Sequence, residues 1–291
     1  MFVAVFLPPN QGKQNMIYTQ IDKNKLLKNT PNPRIIFVGG SNLAYGLDSK
    51  RIKDSLNINP INTGIHINIG LKYMLANTFQ YVKKNDIIIL SAEYQQFYGN
   101  LAEGEGELFS LVTDVVPQTK GLLDYKQYFK LMQLIPEFAQ SKLRPILLFY
   151  KYPTDTIIGR YDRKAFNAYG DACAHWKLSA ENPKPYPAIT QSFNDDILKT
   201  LINFRDAVNL KKAKLYITFP GYQYSSYKTS VAAVKQVERQ LKDHHFLLIS
   251  SPEEYIIPDN MIFDTPYHLT KKGVDYRTGL LIRDLKKALK R

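Results

Sequence analysis

The stretch RIIFVGGSNLAYG, residues 34–46, decides the fold. It opens with a short apolar run, and Gly39 and Gly40 follow that run directly. A short apolar run bounded by turn residues is typical of a buried strand in a parallel sheet. We therefore predict a strand at about residues 35–39. It leads through a tight glycine turn into a helix, with Ser41 exposed at the sheet edge.

Similar apolar runs recur along the chain, separated by stretches with helical spacing of apolar residues. The clearest of these helical stretches begins at Leu71, another covers residues 230–243, and a third begins at Thr270. Alternation of this kind predicts a parallel sheet with helices on both faces. Four further strands are predicted, near residues 60–63, 86–91, 213–219 and 245–250.

Residues 92 to about 195 interrupt the alternation. They contain a helix-like stretch at residues 122–143 and then an aromatic, loop-rich stretch. We interpret them as an insertion after the third strand that forms a cap, not as a second independent domain. The chain then divides into an N-terminal segment, residues 1–30, and one domain, residues 31–291, that carries the insertion.

The chain has 291 residues and a formal net charge of +13, which favours an anionic neighbour. No zinc finger, RNA-recognition motif or basic zipper accompanies the lysines, so we expect anionic lipid or glycan, not nucleic acid. The single cysteine, Cys173, excludes an intrachain disulfide. Asp171 and His175 are too few ligands for a zinc site. We predict no metal and no other cofactor.

The N-terminus, MFVAVFLPPNQ, has six apolar residues at 2–7, far short of the roughly 20 that span a bilayer. It also lacks the basic start and cleavage site of a signal peptide. Two interpretations remain open: a buried segment, or the remnant of a membrane anchor.

The stretch FDTPYHLTKKG, residues 263–273, places Asp264 and His268 just before the last predicted helix. Ligands of a doubly wound sheet bind beyond the carboxyl ends of the strands, which is where Ser41 stands. A serine hydroxyl becomes a strong nucleophile when a base takes its proton and a carboxylate orients that base. We interpret Ser41, His268 and Asp264 in these three roles. Pro266 predicts that the pair lies on a shaped loop.

With these residues in place, the chain resembles the SGNH hydrolases, the GDSL-esterase superfamily. GGSNLAYG matches the family serine after the first strand, NTG matches the glycine after the second strand with Gly64, and DTPYH matches the late acid and histidine. The likeness is strongest to an envelope branch that includes D-alanyl transfer proteins and polysaccharide O-acyltransferase-like proteins. GGSNLAYGLDS, EYQQF, YGD and YHLTKKG carry that likeness, which covers the chain on both sides of the insertion.

The resemblance implies a flavodoxin-like three-layer α/β/α sandwich with a five-stranded parallel sheet and a large insertion after the third strand. It implies ester hydrolysis, or transfer of an acyl group to a cell-envelope carbohydrate. The N–H groups of Ser41 and Gly64 would hold the oxyanion. The chain departs from the family after the third strand, where SAEYQQF lacks the usual oxyanion asparagine. Asn42 is a candidate replacement, with helix capping as the alternative.

Three residues are predicted to bind substrate: Glu93, Tyr94 and Tyr161. Aromatic faces offer rigid contact area to a sugar ring. The alternatives are an ion pair at the sheet edge for Glu93 and a place in the insertion's own core for the two tyrosines. His66 is expected near the site in a structural role.

Two other functions fit part of the sequence. A catalytically degenerate SGNH-like protein would bind envelope glycan through its aromatic insertion. An anion- or nucleotide-binding flavodoxin-like module would explain the glycine turn but not DTPYHLT. For the acyl-transfer function we expect an acylated carbohydrate or other ester as substrate. We also expect an extracytoplasmic, membrane-associated location, against an anionic membrane surface.

Overall fold

The computed structural model describes Leu7, residues 12–147 and residues 159–290. Residues 2–6 of the apolar N-terminal run, on which the anchor hypothesis depends, lie outside the described residues, as do residues 148–158 of the insertion. None of the helices in the described ranges combines the length and the apolar character needed to cross a membrane.

The protein is an α/β structure built on a parallel sheet of four strands. The strands are β1 (Arg34–Val38), β2 (Asn59–Asn62), β3 (Ile87–Leu90) and β4 (Lys214–Ile217), in the order β2-β1-β3-β4. Strand β1 is central and buried along its whole length, as its apolar sequence predicts. A separate two-stranded parallel sheet joins β5 (Tyr222–Gln223) to β6 (Ile256–Ile257).

Helices connect the strands and fill the insertion. Helix α4 packs against β1 and α8, and α8 packs against β4, while α3 packs against β2 and α10. This arrangement is consistent with a three-layer α/β fold. The α-helices are α1 (Thr19–Asn29), α2 (Ser41–Ala44), α3 (Ser49–Leu56), α4 (Leu71–Phe79), α5 (Gly106–Ser110), α6 (Tyr125–Gln133), α7 (Ile135–Leu147), α8 (Asp195–Leu210), α9 (Tyr224–Asp243) and α10 (Lys271–Ala288).

Short helices of other types occupy the loops. A π-helix covers Leu111–Val115. The 3-10 helices are Met16–Tyr18, Ile67–Ile69, Tyr94–Phe97, Leu101–Glu103, Pro117–Leu122, Arg163–Ala165, Ala174–Lys177, Glu253–Tyr255 and Asp259–Met261.

The prediction of a fifth strand at residues 245–250 is wrong. This segment makes only an isolated parallel bridge, Ile217 to Leu248, through hydrogen bonds of 2.8 Å and 2.9 Å on either side. His245 has a left-handed backbone with φ of 57°, so the extended conformation starts late. Pro252 follows soon after and opens a 3-10 helix. The chain also bends at Ile249 and Ser250, so pairing with β4 does not continue beyond the single bridge at Leu248.

A buried ion pair fixes the amino end of the sheet. Arg34 on β1 donates to both carboxylate oxygens of Asp86, at 2.7 Å and 2.8 Å. Neither side chain is exposed. Arg34 also donates to the carbonyls of Leu27 and Tyr81. The guanidinium therefore ties α1, β1 and the approach to β3 together at one point.

The insertion contacts the sheet as well as the site. Apolar residues from α5, α6 and α7, such as Leu108, Leu131 and Phe138, belong to the same buried cluster as the strands. Further along, Ala172 donates a backbone hydrogen bond to Ala44 at 2.8 Å. Asp171 accepts from the hydroxyl of Ser49 at 2.6 Å. The insertion thus binds the end of α2 and the start of α3, in addition to contributing to the cavity wall.

Candidate active site

Ser41 is the first residue of α2, directly after the glycine turn that ends β1. Its side chain is nearly buried yet lines a cavity of about 330 Å³. The helix start leaves the N–H of Ser41 without a hydrogen bond to any described residue. A serine that opens onto a cavity, with an unused backbone donor beside it, is the arrangement that acyl transfer requires.

His268 lies in the same cavity, and Asp264 is bound to it. Nδ1 of His268 is 2.8 Å from Oδ1 of Asp264. The loop that holds them is closed by hydrogen bonds from Phe263 N to His268 O and from His268 N to Thr265 O. The last helix begins three residues later, with Thr270 as its N-cap. The predicted shaped loop is therefore confirmed.

The structure brings Ser41 and His268 together across the cavity, but not into direct contact. Among the described residues, no hydrogen bond within 3.5 Å joins the two side chains. Nδ1 of His268 faces Asp264, which leaves Nε2 for the serine. Catalytic hydrogen bonds often tighten only when substrate is bound, so this geometry is compatible with a catalytic pair.

The surroundings of Asp264 keep its carboxylate charged. Burial raises the pKa of Asp264, but the hydrogen bonds from His268 and Tyr161 and the charge of Arg160 outweigh that effect and lower the pKa. The Tyr161 hydroxyl donates to Oδ2 at 2.5 Å, and Arg160 lies 3.6 Å from the same oxygen. Asp264 is therefore prepared to accept from the protonated imidazole.

Aromatic rings hold the His268 imidazole from the side. Tyr45 stacks on it, with ring centroids 4.2 Å apart. His175 lies behind Tyr45 at 5.1 Å and contacts the carbonyl of Leu269 through Nε2 at 3.0 Å. Burial lowers the pKa of His175 to about 4, so this second histidine is neutral near pH 7 and adds no positive charge beside His268.

The Glu93 carboxylate spans the turn that carries Ser41. Oε2 accepts from the N–H of Gly40 at 3.2 Å, and Oε1 accepts from the N–H of Asn42 at 3.0 Å. A Cβ on Gly40 would lie 2.5 Å from Oε1, so a larger residue at this position would displace the carboxylate. Glu93 is fully buried but reaches the cavity wall. Within the described residues Glu93 makes no ion pair, and its predicted contact with substrate stays a prediction.

Asn42 is not available as an oxyanion donor, and that prediction is wrong. Its Nδ2 donates to the carbonyl of Ser91 at 2.9 Å, and its Oδ1 accepts from Arg277 at 2.9 Å. The residue is fully buried and does not line the cavity. Nor is it a helix cap, because the N-cap of α2 is Gly40. Asn42 instead anchors α2 to β3 and α10.

Gly64 lies beside the turn but its N–H is already bonded, to Oδ1 of Asn62 at 3.0 Å. A Cβ at this position would lie 2.4 Å from the carbonyl of Gly40. The glycine therefore permits close approach of the second loop to the Ser41 turn. The Gly64 N–H can bind an oxyanion only if its hydrogen bond to Asn62 is broken.

The two predicted substrate tyrosines have different positions. Tyr161 lines the cavity, and its predicted contact with substrate stays a prediction. Tyr94 does not: it is buried against Phe219 and Tyr222, with centroids 6.4 Å and 5.3 Å away. The substrate role predicted for Tyr94 is wrong, because the 3-10 helix that begins there turns the ring into the core.

The sequence did not reveal several residues of the cavity wall. Thr265 and Tyr267 each carry a signal, since both lie between Asp264 and His268 in the sequence. The other lining residues come from segments distant in the sequence, and no sequence pattern marks them as part of the site. His66, expected to be structural, also lines the cavity, 3.9 Å from Glu107. The other lining residues are Asn15, Met16, Ile17, Ile67 and Tyr186.

No protein-family model matches this chain, and a search of curated proteins finds no significant match. Within the described ranges, no group of three or more histidine, cysteine, aspartate or glutamate side chains is arranged to bind a metal ion. Interpretation of the site therefore depends on its own geometry.

Proposed function

We propose that this chain is a serine-dependent O-acyl esterase or acyltransferase of the SGNH type that acts on a cell-envelope carbohydrate. Its fold would be the flavodoxin-like three-layer sandwich of that superfamily, with four regular strands. The observation that carries the proposal is the pairing of Ser41 at a helix start with the His268–Asp264 pair, in one cavity.

In this mechanism Ser41 Oγ attacks the acyl carbonyl while Nε2 of His268 takes its proton. The Ser41 N–H stabilises the developing oxyanion. His268 then gives the proton to the leaving alcohol, and the acyl group remains on Ser41. Water or a sugar hydroxyl attacks the acyl-enzyme, losing its proton to His268, and the proton returns to Ser41 as the product leaves.

Asp264 and Tyr45 hold the imidazole during these steps. Asp264 fixes the tautomer with the proton on Nδ1, so that Nε2 is a base. Tyr161 and Arg160 keep the acid ionised from the outer side. The aromatic walls offer contact area to a sugar ring, and they come in part from the insertion.

Labelling with a fluorophosphonate tests the proposal. Wild-type protein is expected to be labelled at one serine, and Ser41→Ala is expected to lose the label while keeping its melting temperature. Ser192→Ala, at an exposed serine in the insertion, is the matched control and should label normally. Undiminished labelling of Ser41→Ala would refute the assignment of the nucleophile.

A second candidate function is supported by the backbone amides around Ser41. Those of Gly40 and Asn42 are bound by Glu93, and that of Gly64 is bound by Asn62. Only the Ser41 N–H is left, and loss of one oxyanion donor typically costs about 10²–10³ in rate. A catalytically degenerate protein that binds envelope glycan would show this pattern. It would bind a glycan oligomer with equal affinity before and after Ser41→Ala, and would not be labelled.

We further propose that the protein works outside the cytoplasm against a membrane surface. The net charge of +13 and the apolar residues 2–7 support this location. Fractionation of cells that express the chain from its own start codon tests it, and recovery only in the cytosol would contradict it.

A further inference from the structure

Helix α6 carries a stripe of large apolar side chains that point to solvent. Tyr125, Phe129 and Met132 are 77%, 64% and 65% exposed, and Tyr128 beside them is also exposed. The positions follow the spacing i, i+3, i+4, i+7, so they share one face of the helix. The opposite face is buried through Gln127 and Leu131. An exposed apolar patch of this kind on a soluble protein marks an interaction surface.

An apolar groove of about 460 Å³ continues from this stripe. Tyr128 and Met132 form one wall, and Phe109, Leu123 and Ile135 lie further in. Leu7 also lines the groove, and its carbonyl accepts a hydrogen bond from Lys142 at 3.0 Å. Leu7 is the last residue of the apolar run at residues 2–7. That run is therefore covalently attached to the same face of the protein as the α6 stripe.

The charges beside the stripe are mostly neutralised within the protein. Lys126 pairs with Asp196 at 2.9 Å, and Lys130 pairs with Glu105 at 3.6 Å. Attraction to an anionic surface therefore comes from the net charge of the whole chain, and the apolar stripe provides most of the local contact. Aromatic residues and methionine at an interface, on a helix lying in the plane, are the features of a monotopic membrane contact.

We propose that the stripe Tyr125, Tyr128, Phe129 and Met132 of α6, with the groove around Leu7, is the surface on which this protein lies on a lipid bilayer. The stripe enters the boundary between headgroups and acyl chains, with α6 parallel to the membrane plane. This inference deepens the membrane association proposed above. It does not depend on the chemistry of Ser41.

Co-sedimentation of the full chain with vesicles tests the inference. The vesicles are phosphatidylcholine alone, or phosphatidylcholine with phosphatidylglycerol. Phe129→Ser/Met132→Ser is the test variant. Leu210→Ser/Leu247→Ser is the matched control, because those leucines are 85% and 57% exposed elsewhere in the fold. Melting temperature, measured in the same preparations, shows whether each variant is folded.

We expect the test variant to lose about tenfold or more of its partitioning to both kinds of vesicle. The control variant should bind like wild type, and anionic lipid should strengthen binding of all three proteins. Equal binding of test variant and wild type would overturn the inference. Loss of self-association in the test variant, with vesicle binding unchanged, would overturn it as well and assign the stripe to a second copy of the chain. Neither outcome affects the assignment of Ser41.

Discussion

The ring of Tyr45 lies flat on the imidazole of His268, with an angle of 19° between the two planes. Tyr45 is fully buried, and its hydroxyl donates to the carbonyl of Arg160 at 2.8 Å. Arg160 in turn lies beside Asp264. The imidazole is therefore held on its face by a stacked ring and at its edge by a carboxylate, and the same short segment supports both.

Two substitutions of Tyr45 should separate the effect of its stacked ring from the effect of its hydroxyl group. Tyr45→Phe keeps the stacked ring and loses only the hydroxyl's hydrogen bonds, to the Arg160 carbonyl and to Met16 Sδ, so we expect nearly normal labelling of Ser41. Tyr45→Leu removes the ring and should slow labelling about tenfold, because a loosely held base reacts less well. Rates of fluorophosphonate reaction measure both. If Tyr45→Phe were as slow as Tyr45→Leu, the hydroxyl would be the important group and not the stack.

Asp264→Asn should leave the loop intact and remove most of the activity. An amide cannot hold the imidazole in the tautomer with the proton on Nδ1, and the same change in a serine triad costs about 10⁴ in rate. Hydrolysis of a small chromogenic ester measures the loss. Tyr161→Phe, which removes one donor to Asp264 but keeps the acid, should have a much smaller effect. A fully active Asp264→Asn would show that His268 is oriented by other groups.

Stability should fall in mild acid because of His175. Burial lowers its pKa from the ordinary 6.5 to about 4, so between these values the unfolded chain binds a proton that the folded protein does not. The contribution of neutral His175 to the free energy of unfolding is fully present above about pH 6.5 and is lost as the pH falls towards 4. It amounts to about 3 kcal/mol.

His175→Gln keeps a donor for the carbonyl of Leu269 and removes the titration. Urea denaturation at pH 7 and pH 4.5 should therefore show a smaller loss for the variant than for wild type. The same loss in both would mean that other groups cause the acid sensitivity.

The buried pair of Arg34 and Asp86 should be far more important to stability than any exposed pair. Arg34→Met leaves the Asp86 charge buried without its cation, with the Lys83 N–H still donating to it, and breaking a buried pair in this way typically costs about 3–5 kcal/mol. Urea denaturation measures the change. The exposed pair of Lys50 and Asp54 is the control, and Lys50→Met should give no measurable change. The double variant Arg34→Met/Asp86→Asn should recover part of the loss, since no charge is then left alone.

Patterns that depend on local sequence predicted much of the fold. The runs at β1, β3 and β4 are short and largely apolar with turns on both sides, while β2 is more polar, and each of the four became a strand within a few residues of its prediction. The run at residues 245–250 has the same composition but failed, because strand formation also needs a partner edge in register. Bends at Ile249 and Ser250 turn the chain away from β4 after the bridge at Leu248. Apolar composition alone does not reveal that limit.

The site was predictable where a residue's role follows from its place at a strand end. Ser41, Asp264 and His268 lie where the glycine turn and the proline loop indicated. Asn42 and Gly64 were misjudged because their hydrogen-bond partners come from distant segments. Tyr94 was misjudged because adjacent residues in a 3-10 helix point in different directions. One sequence contains no signal for such long-range pairing.

Arg277 illustrates one consequence of how the site is assembled. It lies on α10 and donates to the carbonyl of Asn42 at 2.5 Å and to the Ser91 hydroxyl at 3.0 Å. The ribosome makes Ser41 more than two hundred residues before it makes this arginine. During synthesis the turn that carries Ser41 therefore lacks both Arg277, which anchors it, and His268, its proposed base. Under the proposed function, Ser41 would gain its base and its anchor only after α10 has been made and has docked.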